Sequence, residues 1–170
     1  MTLTQPLSSE AYFPYGDVIA TREDVVPTPA NMGTAKRYNW LTTPRNLRPD
    51  SALPNLCVFH CTPFLGSEFQ VQLLEHHPDS TQVFIPMGSA SRYLVIVALG
   101  GDEPDLSTLR TFIASKHQGI TYHPGVWHHP LIALDQETDF TCLVWEDRTA
   151  RDCVVKRLDP HVRVPVPARE

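Results

Sequence analysis

The stretch GITYHPGVWHHPLIAL, Gly119 to Leu134, splits into two short apolar runs around a Pro-Gly pair. Gly-Ile-Thr-Tyr precedes the pair and Val-Trp-His-His follows it, both rich in the β-branched and aromatic residues that favour strands. Proline presets φ for a turn, and glycine supplies the positive φ that other residues avoid. A strand, a tight turn and a second strand are expected. Alternate strand residues face the same side, so Val126 and His128 share one face and Trp127 and His129 the other.

The same pattern extends outward. LCVFHCTP, FQVQLLEHH, TQVFIPM, RYLVIVAL, TLRTFIAS, DFTCLVWED and CVVKRL each hold a short run of Val, Ile, Phe, Tyr or Thr, bounded by Pro, Gly, Asp or Ser. Short strands at regular spacing, without helical periods between them, predict an all-β sandwich or barrel. PDLSTLRTFI fits either a strand or a helical turn. It is read here as a turn over Pro104–Ser107, with Asp105 capping it through its side chain, followed by a strand. SSEAYFPYGDVI predicts a short helix capped by Ser8 or Ser9 and stopped at Pro14 and Gly16. From there to Pro54 the chain reads as proline-rich loops with a strand near AKRYNWL. Sixteen prolines against eight glycines fit short elements and many turns. At 170 residues one domain is expected over 1–170, with helix and loops over 1–54, barrel strands over 55–158 and a tail over 159–170.

Composition excludes several classes of function. Net charge is −5 and the largest basic cluster is the pair Lys36–Arg37, so neither nucleic acid nor an anionic membrane surface is an expected partner. The run YLVIVAL is far shorter than the roughly 20 residues that span a bilayer. The N-terminal residues show no basic-then-apolar signal pattern. Cys57, Cys61, Cys142 and Cys153 form no CxxC pair and read as reduced thiols of a cytoplasmic protein, which disfavours zinc held by thiolates. In CVFHC both cysteines face one side and His60 the other; His60 is read as a core residue.

In QLLEHH, Leu73, Glu75 and His77 share a face, and neighbouring barrel strands can bring that face opposite His128. Gly119, Pro124-Gly125 and His128 resemble the second motif of the cupin superfamily. Glu75, His77, Gln82 and Gly88 resemble the first motif in spacing, with Glu75 where a histidine is usual and Gln82 where a glutamate is usual. LLEHHPDSTQVFIPM, VALGGDEPDLSTLRTFIA, QGITYHPGVWHHPL and TDF narrow this to a resemblance to the ureidoglycolate lyase family. Asn31, Gly33, Arg37, Tyr38 and YGDVI at Tyr15–Ile19 extend it towards the N-terminus. The resemblance implies a jelly-roll type cupin-like β-barrel, a homodimer, and release of urea and glyoxylate from ureidoglycolate.

Eliminating urea from ureidoglycolate requires a base for the hydroxyl proton, an acid for the departing nitrogen, and a clamp for the carboxylate. His128 or Glu75 suits the base, His77 or water the acid, and Arg37 the clamp. Gln82 can bond the ureido group. A divalent cation on Glu75, His77, Gln82 and His128 is the alternative, with nickel, manganese, iron or zinc suited to two imidazoles and oxygen donors. No organic cofactor is expected. Tyr93, His123 and Trp127 are candidate walls of the substrate pocket, and His129 reads as outward-facing. Two other functions fit the same residues. One is a ureidoglycolate amidohydrolase releasing ammonia and carbon dioxide; the other is a cupin module that binds a small acid without turnover.

Overall fold

The computed structural model describes residues 3–88 and 90–169. Its elements in chain order are β1 (Thr4–Pro6), α1 (Ser9–Tyr12), β2 (Val18–Ile19), β3 (Thr28–Ala30), a 3-10 turn at Asn31–Gly33, β4 (Ala35–Arg37), β5 (Leu53–Cys61), β6 (Glu68–His76) and β7 (Gln82–Pro86). There follow β8 (Tyr93–Gly100), β9 (Pro104–Ala114), β10 (Gly119–Tyr122), β11 (Trp127–His128), β12 (Ile132–Ala133), β13 (Thr138–Glu146) and β14 (Val154–Pro165). A seven-stranded sheet runs β1-β9-β8-β11-β6-β14 with β12 also on β8, and a five-stranded sheet runs β2-β10-β7-β13-β5. β3 and β4 form a hairpin of their own. The expected all-β jelly-roll architecture is present.

β8 shows why so apolar a run can be a strand. Tyr93, Val95 and Val97 pack with Phe84, Phe112, Ile120, Tyr122 and Phe140 in a core fed by both sheets. Leu94, Ile96 and Ala98 pack on the other side with Val71, Leu74, Leu109, Trp127 and Val164. Most of that second set lies on strands of the seven-stranded sheet itself, so this sheet curls around a core of its own. Burial on both faces removes the polar half of the alternation.

The N-terminal helix is capped as expected: Ser8 Oγ accepts from Ala11 N at 3.2 Å. The Tyr12 hydroxyl donates to the Thr121 carbonyl at 2.9 Å, which seats the helix on β10. Gly16 lies so close to that strand that an added Cβ would meet the Thr121 carbonyl oxygen at 1.8 Å.

Three local readings need correction. Strand β9 begins at Pro104, because the irregularity opposite Val97–Leu99 absorbs the kink within the pairing; Asp105 still caps Ser107 N at 3.0 Å. Strand β14 continues past 158 to Pro165, with a register shift between Arg157 and Val162 that carries it around the curled sheet; Glu170 lies outside the described residues. His60 is exposed rather than core and pairs with Asp139 at 2.6 Å, because β5 is an edge strand with an open outer face.

Candidate functional site

Pro124 and Gly125 occupy the centre of a turn closed by Val126 N donating to the His123 carbonyl at 3.1 Å, with Gly125 at φ 80°. This is the type II arrangement that Pro-Gly favours. Gly125 N also donates to the His77 carbonyl at 2.9 Å, which pins the turn to the end of β6. The pinning brings β11 onto β6 with His128 directly opposite Glu75, and His128 Nε2 lies 3.6 Å from Glu75 Oε1. The His77 ring lies parallel to the His128 ring with centroids 5.7 Å apart. Tyr122 stacks on His128 with ring centroids 3.9 Å apart. Gln82 stands opposite Tyr122 in the register of β7 and β10.

Both imidazoles are held in one tautomer. His77 Nδ1 is 2.7 Å from the Asp152 carbonyl and His128 Nδ1 is 2.9 Å from the Val126 carbonyl. A carbonyl only accepts, so Nδ1 carries a hydrogen in each ring and Nε2 is the nitrogen turned towards the site. His77 Nε2, His128 Nε2, Gln82 Oε1 and the Tyr122 hydroxyl are all buried without a hydrogen-bond partner. Buried polar atoms are nearly always satisfied, so orphans collected in one place mark a site built for something else.

Charge sharpens this picture. Burial alone would raise the Glu75 carboxyl, but His128 and then His77 more than offset that, and its pKa falls below the ordinary value. Burial first, and the charge of His128 second, push His77 down to about 4. At neutral pH, therefore, a carboxylate and a neutral imidazole lone pair face the same space. This does not suit His77 as the general acid, because at neutral pH its inward nitrogen carries no proton.

Cys153, on no element with a motif, adds a further group. Its thiol donates to Glu75 Oε2 at 3.7 Å, and burial followed by the charge of Glu75 pushes it up to about 12. Donor atoms of Glu75, His77 and Cys153 all lie within 4.8 Å of one another, a spacing that a metal ion can bridge. Behind them Arg48, whose side chain is 7% exposed, binds Asp79 at 3.2 Å, Asp152 at 2.6 Å and Asp147. Asp152 also accepts from the amides of Asp147 and Arg148, so the loop between β13 and β14 is wrapped on this one guanidinium.

The family profile described as ureidoglycolate lyase matches residues 1–165. The chain belongs to the ureidoglycolate lyase family. Curated relatives named ureidoglycolate lyase from Escherichia coli O157:H7 and Shigella flexneri are 44% identical over 136 residues, covering 79% of this chain and 81% of theirs. Among solved structures, RmlC from Streptococcus suis aligns at TM-score 0.48 and 11% identity, over 88% of this chain and 75% of that one. A 3,4-ketoisomerase from Helicobacter canadensis aligns at 0.45 and 10%, over 82% and 89%.

Within this member of the ureidoglycolate lyase family, Glu75, His77, Gln82 and His128 come together, whereas several other candidates lie elsewhere. Trp127 is fully buried on the opposite face of β11, stacked on His76 at 3.9 Å, with its indole N–H donating to the Gly101 carbonyl at 3.1 Å. Tyr93 is a core residue whose hydroxyl donates to the Gln118 carbonyl at 2.5 Å. His123 belongs to the turn, and its amide donates to the Tyr15 carbonyl at 2.9 Å. His129 bonds the Pro130 carbonyl at 2.8 Å and packs edge-on against Phe69. Arg37 is exposed on the β3–β4 hairpin, which pairs with no other strand among the described residues. A cleft of about 760 Å³ lined by Arg92, Lys116, His117 and Arg169 is lined by none of Glu75, His77, Gln82 and His128.

Sequence reasoning missed Tyr122, Cys153 and Arg48. Tyr122 sits inside the Gly–Pro-Gly–His motif and alternation would have exposed it, whereas no spacing links Cys153 or Arg48 to the histidines. The placement of Trp127 gives a direct check. Trp127→Phe is expected to lose about 1–3 kcal/mol of stability, from one buried hydrogen bond and part of a stacked pair. Its KM should stay that of the parent in a steady-state assay; a raised KM would return Trp127 to the pocket wall.

Proposed function

We propose that this chain eliminates urea from ureidoglycolate to leave glyoxylate, and that Glu75, His77, Gln82, Tyr122 and His128 form the site. The observation that carries the site assignment is the convergence of unpartnered buried groups on one space, in a chain of the ureidoglycolate lyase family. His128 Nε2 takes the hydroxyl proton, and its Nδ1–H stays on the Val126 carbonyl throughout. The C–N electron pair leaves with the ureido nitrogen as the carbonyl of glyoxylate forms. The His128 imidazolium then gives its proton to that nitrogen, so no proton is gained or lost overall. Gln82 Oε1 accepts from the ureido N–H groups, and the Tyr122 hydroxyl donates to the ureido oxygen.

The donors present also fit a divalent cation. Glu75 and His77 would hold it, and the cation would act as a Lewis acid that lowers the pKa of the substrate hydroxyl. Incubation with ureidoglycolate should give urea and glyoxylate in equal amounts without ammonia, and chelation should abolish the reaction. Ammonia in place of urea would reject the lyase reading, saturable binding without turnover would reject catalysis, and an undiminished rate after exhaustive chelation would reject the cation.

We further propose that a second copy of the chain pairs with the open edge of the five-stranded sheet. Strand β5 leaves Leu53, Leu56, Val58 and Phe59 exposed, Leu56 by 71%, along nine residues of edge backbone. An apolar edge of that length is a template for another strand, and a two-fold axis would match it to itself. Light scattering should give a dimer for the parent and a monomer for Leu56→Glu; a monomeric parent would overturn this pairing.

A further inference from the structure

We infer that Cys153 is a ligand, and that with Glu75 and His77 it completes a mixed sulfur, nitrogen and oxygen site selective for a borderline-soft divalent cation such as zinc, cobalt or nickel. This rests on reading the cluster as the catalytic centre. Three features of the geometry support it.

The first is spacing. Metal–ligand bonds of about 2.0–2.3 Å in a tetrahedral site put neighbouring donor atoms roughly 3.3–3.8 Å apart. Cys153 Sγ and Glu75 Oε2 are 3.7 Å apart, and the His77 donor lies within 4.8 Å of both. The second is the buried, unpartnered His77 Nε2. Its ring is turned by an Nδ1–H bond to a backbone carbonyl, the arrangement that orients imidazole ligands in metalloproteins. The third is the loop between β13 and β14. The carbonyl of Asp152 orients His77, and the next residue supplies the sulfur, so one peptide sets two of the three donors. The Asp152 carboxylate is itself tied to Arg48.

His128 is not part of this compact trio, although its Nε2 lies 3.6 Å from Glu75. That leaves His128 free to move protons while the trio holds charge. Cys57, Cys61 and Cys142 instead pack in the core between the sheets. Sulfur in the donor set disfavours the hard cations magnesium, calcium and manganese and favours those that accept thiolate.

The test strips the protein with chelator and titrates cobalt(II). The parent should bind one equivalent and develop a near-ultraviolet sulfur-to-cobalt charge-transfer band. Cys153→Ser should bind at least tenfold more weakly and lack the band. Because a serine variant can perturb the loop, a second measurement uses the parent alone. Zinc should slow alkylation of Cys153 more than tenfold by peptide mass spectrometry, with Cys57 and Cys61 unchanged, and magnesium should give no protection. One bound equivalent without the band, together with unprotected Cys153, would overturn the assignment and leave the cation on other ligands. No cobalt binding at all, while the stripped protein still releases urea, would reject the cation site and leave the lyase reading intact.

Discussion

His128→Asn should fold and yet release glyoxylate about 10²–10⁴-fold more slowly, the range expected when a positioned proton-transfer group is removed. His128 is 1% exposed and held between the Tyr122 ring and Glu75, with its tautomer fixed by the Val126 carbonyl. Asparagine keeps a polar side chain there but offers no nitrogen lone pair to accept a proton. The loss should fall on kcat, because the proton moves in the transition state and not in binding. Thermal denaturation should stay cooperative, which separates a chemical defect from unfolding. Glyoxylate release at the parent's rate would remove His128 from the mechanism.

The second large effect is on stability. Arg48→Met should cost about 3–5 kcal/mol, the usual penalty for removing one partner from a buried ion pair. Here the penalty is multiplied in kind, because Asp79, Asp147 and Asp152 all lose their counter-charge at once. Urea denaturation measures it directly, and a cost below about 1 kcal/mol would reduce the cluster to an ordinary surface network. The pH dependence gives a second reading. Thr149 first, and Arg48 behind it, hold the Asp147 carboxyl at about 2 against an ordinary 3.8. A depressed carboxyl adds stability that is fully present above 3.8 and lost as pH falls towards 2. The parent should therefore lose stability across that window, and Arg48→Met should lose less there.

The strands, and the grouping of the residues proposed for the site, were legible in the sequence because both follow a period of two. Alternation puts Glu75 with His77 and Val126 with His128, and Pro-Gly supplies the turn that joins the second pair to the first. The misreadings have particular causes. Trp127 lies one residue from His128, and in a strand one residue means the opposite face. Pro104 looks like a stop, but it is the first residue of β9, paired with Gly100, a position where a strand tolerates a proline. His60 was assigned to the core because the sequence does not say which strand lies at a sheet edge. Cys153 was out of reach for a deeper reason: it comes to Glu75 across 78 residues, through a loop folded around an arginine from a third part of the chain. Side-chain periodicity is local, and no local pattern encodes that convergence.

β8 separates two interiors, one between the sheets and one inside the curl of the seven-stranded sheet. His128 and Trp127 are covalent neighbours that live on opposite sides of this bulkhead. Volume changes at Leu94, Ile96 or Leu74 can therefore be absorbed in the outer compartment, reaching the histidines only by displacing a backbone hydrogen-bonded along both edges. Such insulation gives the chain latitude: one chamber can drift in packing while the other keeps its chemistry.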